Sequence, residues 1–287
     1  MGIEKEEKVK FVSGIRLARK DKIKNFDIAK EVISKAIGLL DNSNITGYIM
    51  ACYLEMLRLY EIKSKALALD LLQPIYDEKI KDLDKIDVDK KTITLLDKVY
   101  EYDYELHNST AQALRSARGF FLECVLESLF VKFSPDNYMA QVKVRDGARE
   151  KRIDFVVGLT SISQNIDNLL YVTVKKSLRE RVAQVSDEKQ FLGNVPLFFF
   201  YADDVKLSDG IMQGFYDDDI VMVAPEYNIA KHYAERKNVI SYEKFFLEML
   251  PAYLQEPKNF AITQFNLETA AHQQEKKKSF IIVKKEK

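Results

Sequence analysis

Tryptophan is missing from this chain of 287 residues, and cysteine and histidine are nearly so, at two and three. Each scarcity removes a class of chemistry. His107, His232 and His272 are isolated from one another and from Cys52 and Cys124, so no zinc-binding spacing exists. Both cysteines sit in apolar helical patterns, where a reduced core thiol is expected in place of a disulfide or a metal pair. Net charge is also absent. Lys and Arg total 44, as do Asp and Glu, so no global field draws the chain toward nucleic acid or membrane, and a polyanion would have to meet a local patch. No apolar run approaches the length of a bilayer span. The start, Met1-Gly-Ile-Glu-Lys-Glu-Glu-Lys8, is charged and unlike a secretory signal, and Lys5-Glu6 does not supply the Ser or Thr of a myristoylation site. The expectation is a cytoplasmic protein with no membrane partner. A Gly-rich phosphate loop, a Gly-x-Ser-x-Gly elbow, a Cys/His pairing and a dinucleotide fingerprint are all lacking. What remains, 47% hydrophobic and 31% charged, is the composition of a globular chain with a real core.

The first hundred residues read as mostly helical. Charge dominates 1–23, where the helical tendency is weak. Ile28, Val32, Ile33, Ala36, Ile37 and Leu40 follow helical spacing until Asp41-Asn-Ser-Asn44 breaks the run. Further helices are predicted over 48–63, 64–75 and 92–106. From Asn108 the pattern changes: a long helix to about Phe130, then short alternating segments at 138–144, 152–158 and 170–174, the first two separated by the turn signal Arg145-Asp-Gly147. Pro196–Tyr201 and Asp219–Ala224 are continuous apolar runs, as in strands covered on both faces. Helices are predicted over 178–191 and near 226–236 and 242–250. Phe280-Ile-Ile-Val283 lies between lysine clusters, as an edge strand or a loose end. The sum is an α/β core with a mixed sheet, divided as a helical region 1–107, a core 108–270 and a basic tail 271–287.

One stretch concentrates the chemistry. Tyr171–Val174 reads as a short buried strand ending at Lys175, and Ser177 with Glu180 has capping-box spacing, so a helix should start there. Arg179, Glu180 and Arg181 then occupy its first turn, and Glu188 lies two turns on, on the face of Arg181 and Val185. Asp154 sits in the preceding strand, Glu123 on the long helix, and Thr173 two residues before Lys175. A metal-dependent nuclease needs an acid at a strand bend and a lysine on the adjacent strand: carboxylates hold Mg²⁺ through hard oxygen ligands, and the lysine orients the water or stabilises transition-state charge. By itself a strand Asp followed by a strand Lys is common in α/β proteins, and Thr173 stands where a second carboxylate is usual. Arg179, Glu180 and Arg181 are open to two readings on residues alone: guanine and cytosine readers, or a helix cap with solvated arginines. Lys143, Arg145, Arg149, Lys151, Arg152 and Lys176 are either phosphate contacts or ordinary surface. Asp217-Asp-Asp219 reads as a solvated turn.

Taken jointly, the spacing resembles the PD-(D/E)XK restriction endonucleases, in the branch that cuts CCNGG, CCWGG and related CCGG-core sites, where the second acid has migrated from strand to helix. That branch's helical Glu, strand Asp, Ser/Thr-x-Lys and a Glu about 13 positions later correspond to Glu123, Asp154, Thr173-Val-Lys175 and Glu188. Its Arg-Glu-Arg-type triplet corresponds to Arg179-Glu180-Arg181, and its Asn-Ser-x-Ala-Gln element to Asn108-Ser-Thr-Ala-Gln112. The match is good over about 108–190 and holds by pattern to about 224. It implies a restriction-endonuclease-like core, Mg²⁺ as cofactor held by Asp154 and Glu188, and catalysis by Asp154, Lys175 and Glu188 with Glu123 in support. It further implies base readout by Arg179, Glu180, Arg181 and Gln112, double-stranded DNA as substrate, a homodimer matched to a palindrome, and a cognate DNA methyltransferase as genetic partner. Some members stack extruded bases on an aromatic from the helical region. Tyr60, with Arg58 for phosphate, is the candidate here, against a core role for Tyr60. A structure-specific repair or junction nuclease and a non-catalytic DNA-binding descendant are the alternatives on the same fold.

Overall fold

A computed structural model describes residues 5–83, 88–134, 137–146, 148–158, 169–175, 182–193, 197–255 and 281–283. The chain forms two compact units, each built from separate stretches: 1–32 with 53–121, and 33–52 with 122–287. The expected boundary at 107/108 falls inside a helix.

The first unit is helical. Helix α1 (Lys5–Lys22), followed in the chain by α2 (Asn25–Ala36), lies along parts of α3 (Ile45–Leu83) and α4 (Val88–Phe133). Phe11 meets Tyr102 edge-on at 4.8 Å, and ion pairs join Lys8 to Glu105 and Lys22 to Asp70. Arg19, almost fully buried, donates to the backbone carbonyl and hydroxyl of Ser109 and to the hydroxyl of Thr110. The predicted segments 48–63 and 64–75 belong to the single helix α3, which runs through Pro74, and 92–106 and 108–130 belong to α4.

The second unit is a seven-stranded mixed sheet in the order β6-β5-β4-β3-β2-β1-β7. Strands β1 (Tyr138–Asp146), β2 (Arg149–Val157) and β3 (Leu170–Lys175) form an antiparallel meander; β4 (Leu197–Tyr201), β5 (Ile220–Ala224) and β6 (Val239–Ser241) extend it in parallel. Strand β7 (Ile281–Val283) closes the other edge, parallel to β1, so Ile281–Val283 takes the edge-strand reading of its two, Phe280 lying outside the described residues. Neither β6 nor helix α6 (Asp209–Asp217) is anticipated by the sequence pattern. Asp217 ends α6 and Asp218 and Asp219 form the turn after it, all three exposed, as expected of a solvated acidic run.

The apolar run of β4 follows from cover on both faces. Phe199 and Tyr201 pack with Phe215 of α6 and with Val185, Phe191 and Leu192 of α5 (Val182–Leu192). Phe198 and Phe200, on the opposite face, meet Phe245, and Phe200 also meets Phe246. Phe130 near the end of α4 joins that cluster and contacts Phe155 at 5.0 Å. Each such ring buries enough apolar surface to contribute roughly 2–3 kcal/mol. Residues 33–52 dock here as well: Tyr48 shares a hydrogen bond with Ser128 at 3.0 Å, and Glu243 accepts from the backbone and hydroxyl of Thr46.

Candidate active site

The residues singled out by spacing converge where β2 and β3 meet α5. Continuing the register that pairs Phe155 with Val172 sets Asp154 opposite Thr173. The backbone N–H of Val174 donates to Asp154 Oδ2 at 2.7 Å, which fixes that carboxylate on the end of β3. Lys175, the last residue of β3, is 5% exposed, and its Nζ lies 3.3 Å from Asp154 Oδ2 and 3.5 Å from Glu188 Oε1. Thr173 ties the group together: it accepts from Lys175 Nζ at 2.7 Å and donates to Asp154 Oδ2 at 3.2 Å. The position that lacks a carboxylate therefore holds a hydroxyl that orients both charged partners.

Glu188 comes from α5. Gln184, one turn earlier, donates to its Oε1 at 3.0 Å, an i,i+4 pair readable in sequence. Its Oε2 is buried with no hydrogen-bond partner. Helix α5 is held to β2 by the ion pair of Lys151 with Asp187 and by Arg149 over the Phe191 ring at 5.8 Å. Lys151 thus has a carboxylate partner, as does Lys143, paired with Glu150 at 2.8 Å.

Electrostatics set the protonation state. Two carboxylates and one ammonium leave the pocket with excess negative charge, and burial sharpens the cost. Glu188 is pushed above the usual carboxylate range by burial, against the pull of Lys175. Glu123, on α4, is pushed up to about 8 by burial and then by the Asp154 charge, with Lys175 and Arg152 opposing. Gln141 of β1 donates to Glu123 Oε2 at 2.8 Å. One turn further on, burial raises Glu127 to about 7. Sequence spacing points to neither Gln141 nor Glu127. Among the described residues no three His, Cys, Asp or Glu side chains gather as a metal-holding group.

Arg179, Glu180 and Arg181, like Lys176 and Ser177, are outside the described residues. Gln112 is an exposed residue of α4 in the helical unit, in the element whose Ser109 and Thr110 are gripped by Arg19. Tyr60 is 2% exposed and meets Phe121 edge-on at 6.1 Å, so its ring is part of the helical unit's core and presents no open stacking face. Arg58 is exposed and bonded twice to Glu55. Cys52 and Cys124 are free thiols, the first buried and the second partly so.

No protein-family model matches the chain, and no curated protein matches it. Solved structures do. Metal-depleted Ecl18kI in complex with uncleaved DNA superposes with a TM-score of 0.74 at 21% identity, over 93% of this chain and 91% of that one. Metal-depleted Ecl18kI with uncleaved, modified DNA gives 0.74 at 20% identity, over 93% and 90%. The likeness shows the fold: a restriction-endonuclease fold with an N-terminal helical region.

Proposed function

We propose that this protein is a type II restriction endonuclease, a Mg²⁺-dependent phosphodiesterase that hydrolyses both strands of DNA at a palindrome with CC/GG half-sites. The carrying observation is that Asp154, Lys175 and Glu188, distant in sequence, meet within hydrogen-bonding range at the end of β3. Support for DNA as the substrate comes from the fold shared with Ecl18kI, whose structures hold uncleaved DNA.

The donor set fits the ion. Mg²⁺ needs only one or two protein carboxylates, because it keeps several waters and takes substrate phosphate oxygens as further ligands. Asp154 and Glu188 would hold it, and the buried, unpartnered Oε2 of Glu188 is an acceptor with that use. When bound, the ion polarises the scissile phosphate and acidifies a water. Lys175, held by Thr173 and Asp154, orients the attacking water and stabilises the charge growing on the phosphate oxygens. Water adds to phosphorus, the bond to the leaving oxygen breaks, and that oxygen takes up a proton. Glu123, raised to about 8, supports the site as a carboxyl that can carry a proton near neutral pH.

Arg179 and Arg181 donate to guanine O6 and N7, Glu180 accepts from cytosine N4, and Gln112 reaches a minor-groove edge. A two-fold target calls for a homodimer, and a host that carries the enzyme needs a cytoplasmic methyltransferase to protect its own sites. No helix of the described residues is long and apolar enough to cross a membrane. The test compares wild type with Asp154→Ala in Mg²⁺. Wild type should cleave and the variant should not, while both shift the same DNA in a gel. Normal cleavage by Asp154→Ala would overturn the site assignment.

A further inference from the structure

Residue Gln141 has backbone geometry that its place in the fold does not call for. Its φ is +55°, in the left-handed region, in the middle of strand β1. The other non-glycine residue there among the described residues, Asp219, sits in the turn after α6, where such a conformation is ordinary. Side chains with a Cβ avoid this region, and strands have no need of it. The ladder between β1 and β2 runs from Tyr138↔Val157 to Asp146↔Arg149 and skips one step, the step at which Gln141 faces Asp154. Strand pairing is therefore given up at the position opposite the central carboxylate. What is gained in exchange is visible: the side-chain amide donates to Glu123 Oε2 at 2.8 Å. Strain of this kind persists only where the surroundings enforce it, and it gathers at functional sites.

We propose, resting on the nuclease reading above, that Gln141 is a positioning residue: its left-handed backbone aims the amide at Glu123 and holds that carboxyl beside Asp154. The residue touches neither substrate nor metal. It acts through Glu123 by fixing one of its two oxygens. Gln141 therefore determines whether Glu123 takes part in cleavage at all.

The position allows strain and function to be separated. Gln141→Gly keeps the left-handed backbone at no steric cost and removes the amide. Gln141→Asn tolerates the same backbone but is one methylene too short to reach Glu123. Cleavage of a DNA bearing the site is measured for wild type, both variants, Glu123→Gln and the Gln141→Gly/Glu123→Gln double variant, alongside thermal unfolding of each. Loss of the residue that orients a functional carboxyl should lower kcat by about 10- to 100-fold, with the KM for DNA unchanged. The melting temperature of Gln141→Gly should equal or exceed that of wild type, and the double variant should be no slower than Glu123→Gln alone. Three results overturn the proposal: wild-type kcat in Gln141→Gly, a loss of activity that tracks a lowered melting temperature, or losses that multiply in the double variant. Should wild type itself fail to cut, the nuclease reading fails and this proposal falls with it. Wild-type cutting with an indifferent Gln141→Gly sinks the proposal alone.

Discussion

Replacing Lys175 by Met keeps the buried aliphatic stem and removes the charge between Asp154 and Glu188. The separations are 3.3 and 3.5 Å, so each attraction is about 5 kcal/mol at an effective dielectric constant near 20. The ammonium's own burial cost disappears with it, and truncating one member of a buried pair has a net cost of about 3–5 kcal/mol. The stranded carboxylates can escape by taking up protons, and neutralising an ordinary carboxylate costs about 4 kcal/mol near pH 7 but about 1 kcal/mol near pH 5. Denaturant unfolding in EDTA should therefore show a loss of about 3–5 kcal/mol near neutral pH that shrinks to about 1–2 kcal/mol near pH 5. Millimolar Mg²⁺ should restore much of the neutral-pH loss, since a cation bound to the folded state replaces the missing charge. An equal loss at both pH values, or none at either, would refute the placement of Lys175 as the countercharge of this pocket.

Other perturbations separate the remaining roles. Metal-free wild type should lose stability as pH rises from about 4.5 to about 8, because Glu123, together with Glu127 and Glu188, holds its proton in the fold above the pH at which its unfolded counterpart ionises; Glu123→Gln should remove Glu123's share and make that slope shallower in pH-dependent melting. Arg179→Ala or Arg181→Ala should weaken site-specific binding by roughly 1–3 kcal/mol and relax discrimination at one base pair, read by competition against singly altered sites. Tyr60→Ala should destabilise the protein by about 3–5 kcal/mol in denaturant unfolding, as expected of a core ring; a variant of wild-type stability would return Tyr60 to the role of a stacking platform.

Much of the sheet unit is legible in the sequence because the signals are local. The apolar runs of β4 and β5 announce strands covered on both faces, and the alternation of β1 to β3 announces the meander. The spacing from Asp154 to Lys175 to Glu188 anticipates three groups that the fold brings together. What escapes is long-range. The sequence pattern starts a new helix at Asn108, after one over 92–106, yet α4 runs straight through both. The hydroxyls of Ser109 and Thr110 are engaged by Arg19, some ninety residues earlier in the chain. Strand β6, three residues long, has no room to display a pattern. Gln141 is invisible for the same reason as Arg19: its partner Glu123 lies on another element, and no neighbour in sequence signals its left-handed backbone.

Sequence-specific, metal-dependent hydrolysis of duplex DNA is read most directly from the ends of the fragments it leaves. A phage or plasmid DNA of known sequence is incubated with the protein in Mg²⁺ and in EDTA, and the fragment ends are mapped. Discrete fragments are expected in Mg²⁺ alone, all ending at one palindrome with CC/GG half-sites. Fragments whose ends follow DNA structure and share no sequence, or intact DNA in Mg²⁺ despite tight site-specific binding, would contradict that expectation.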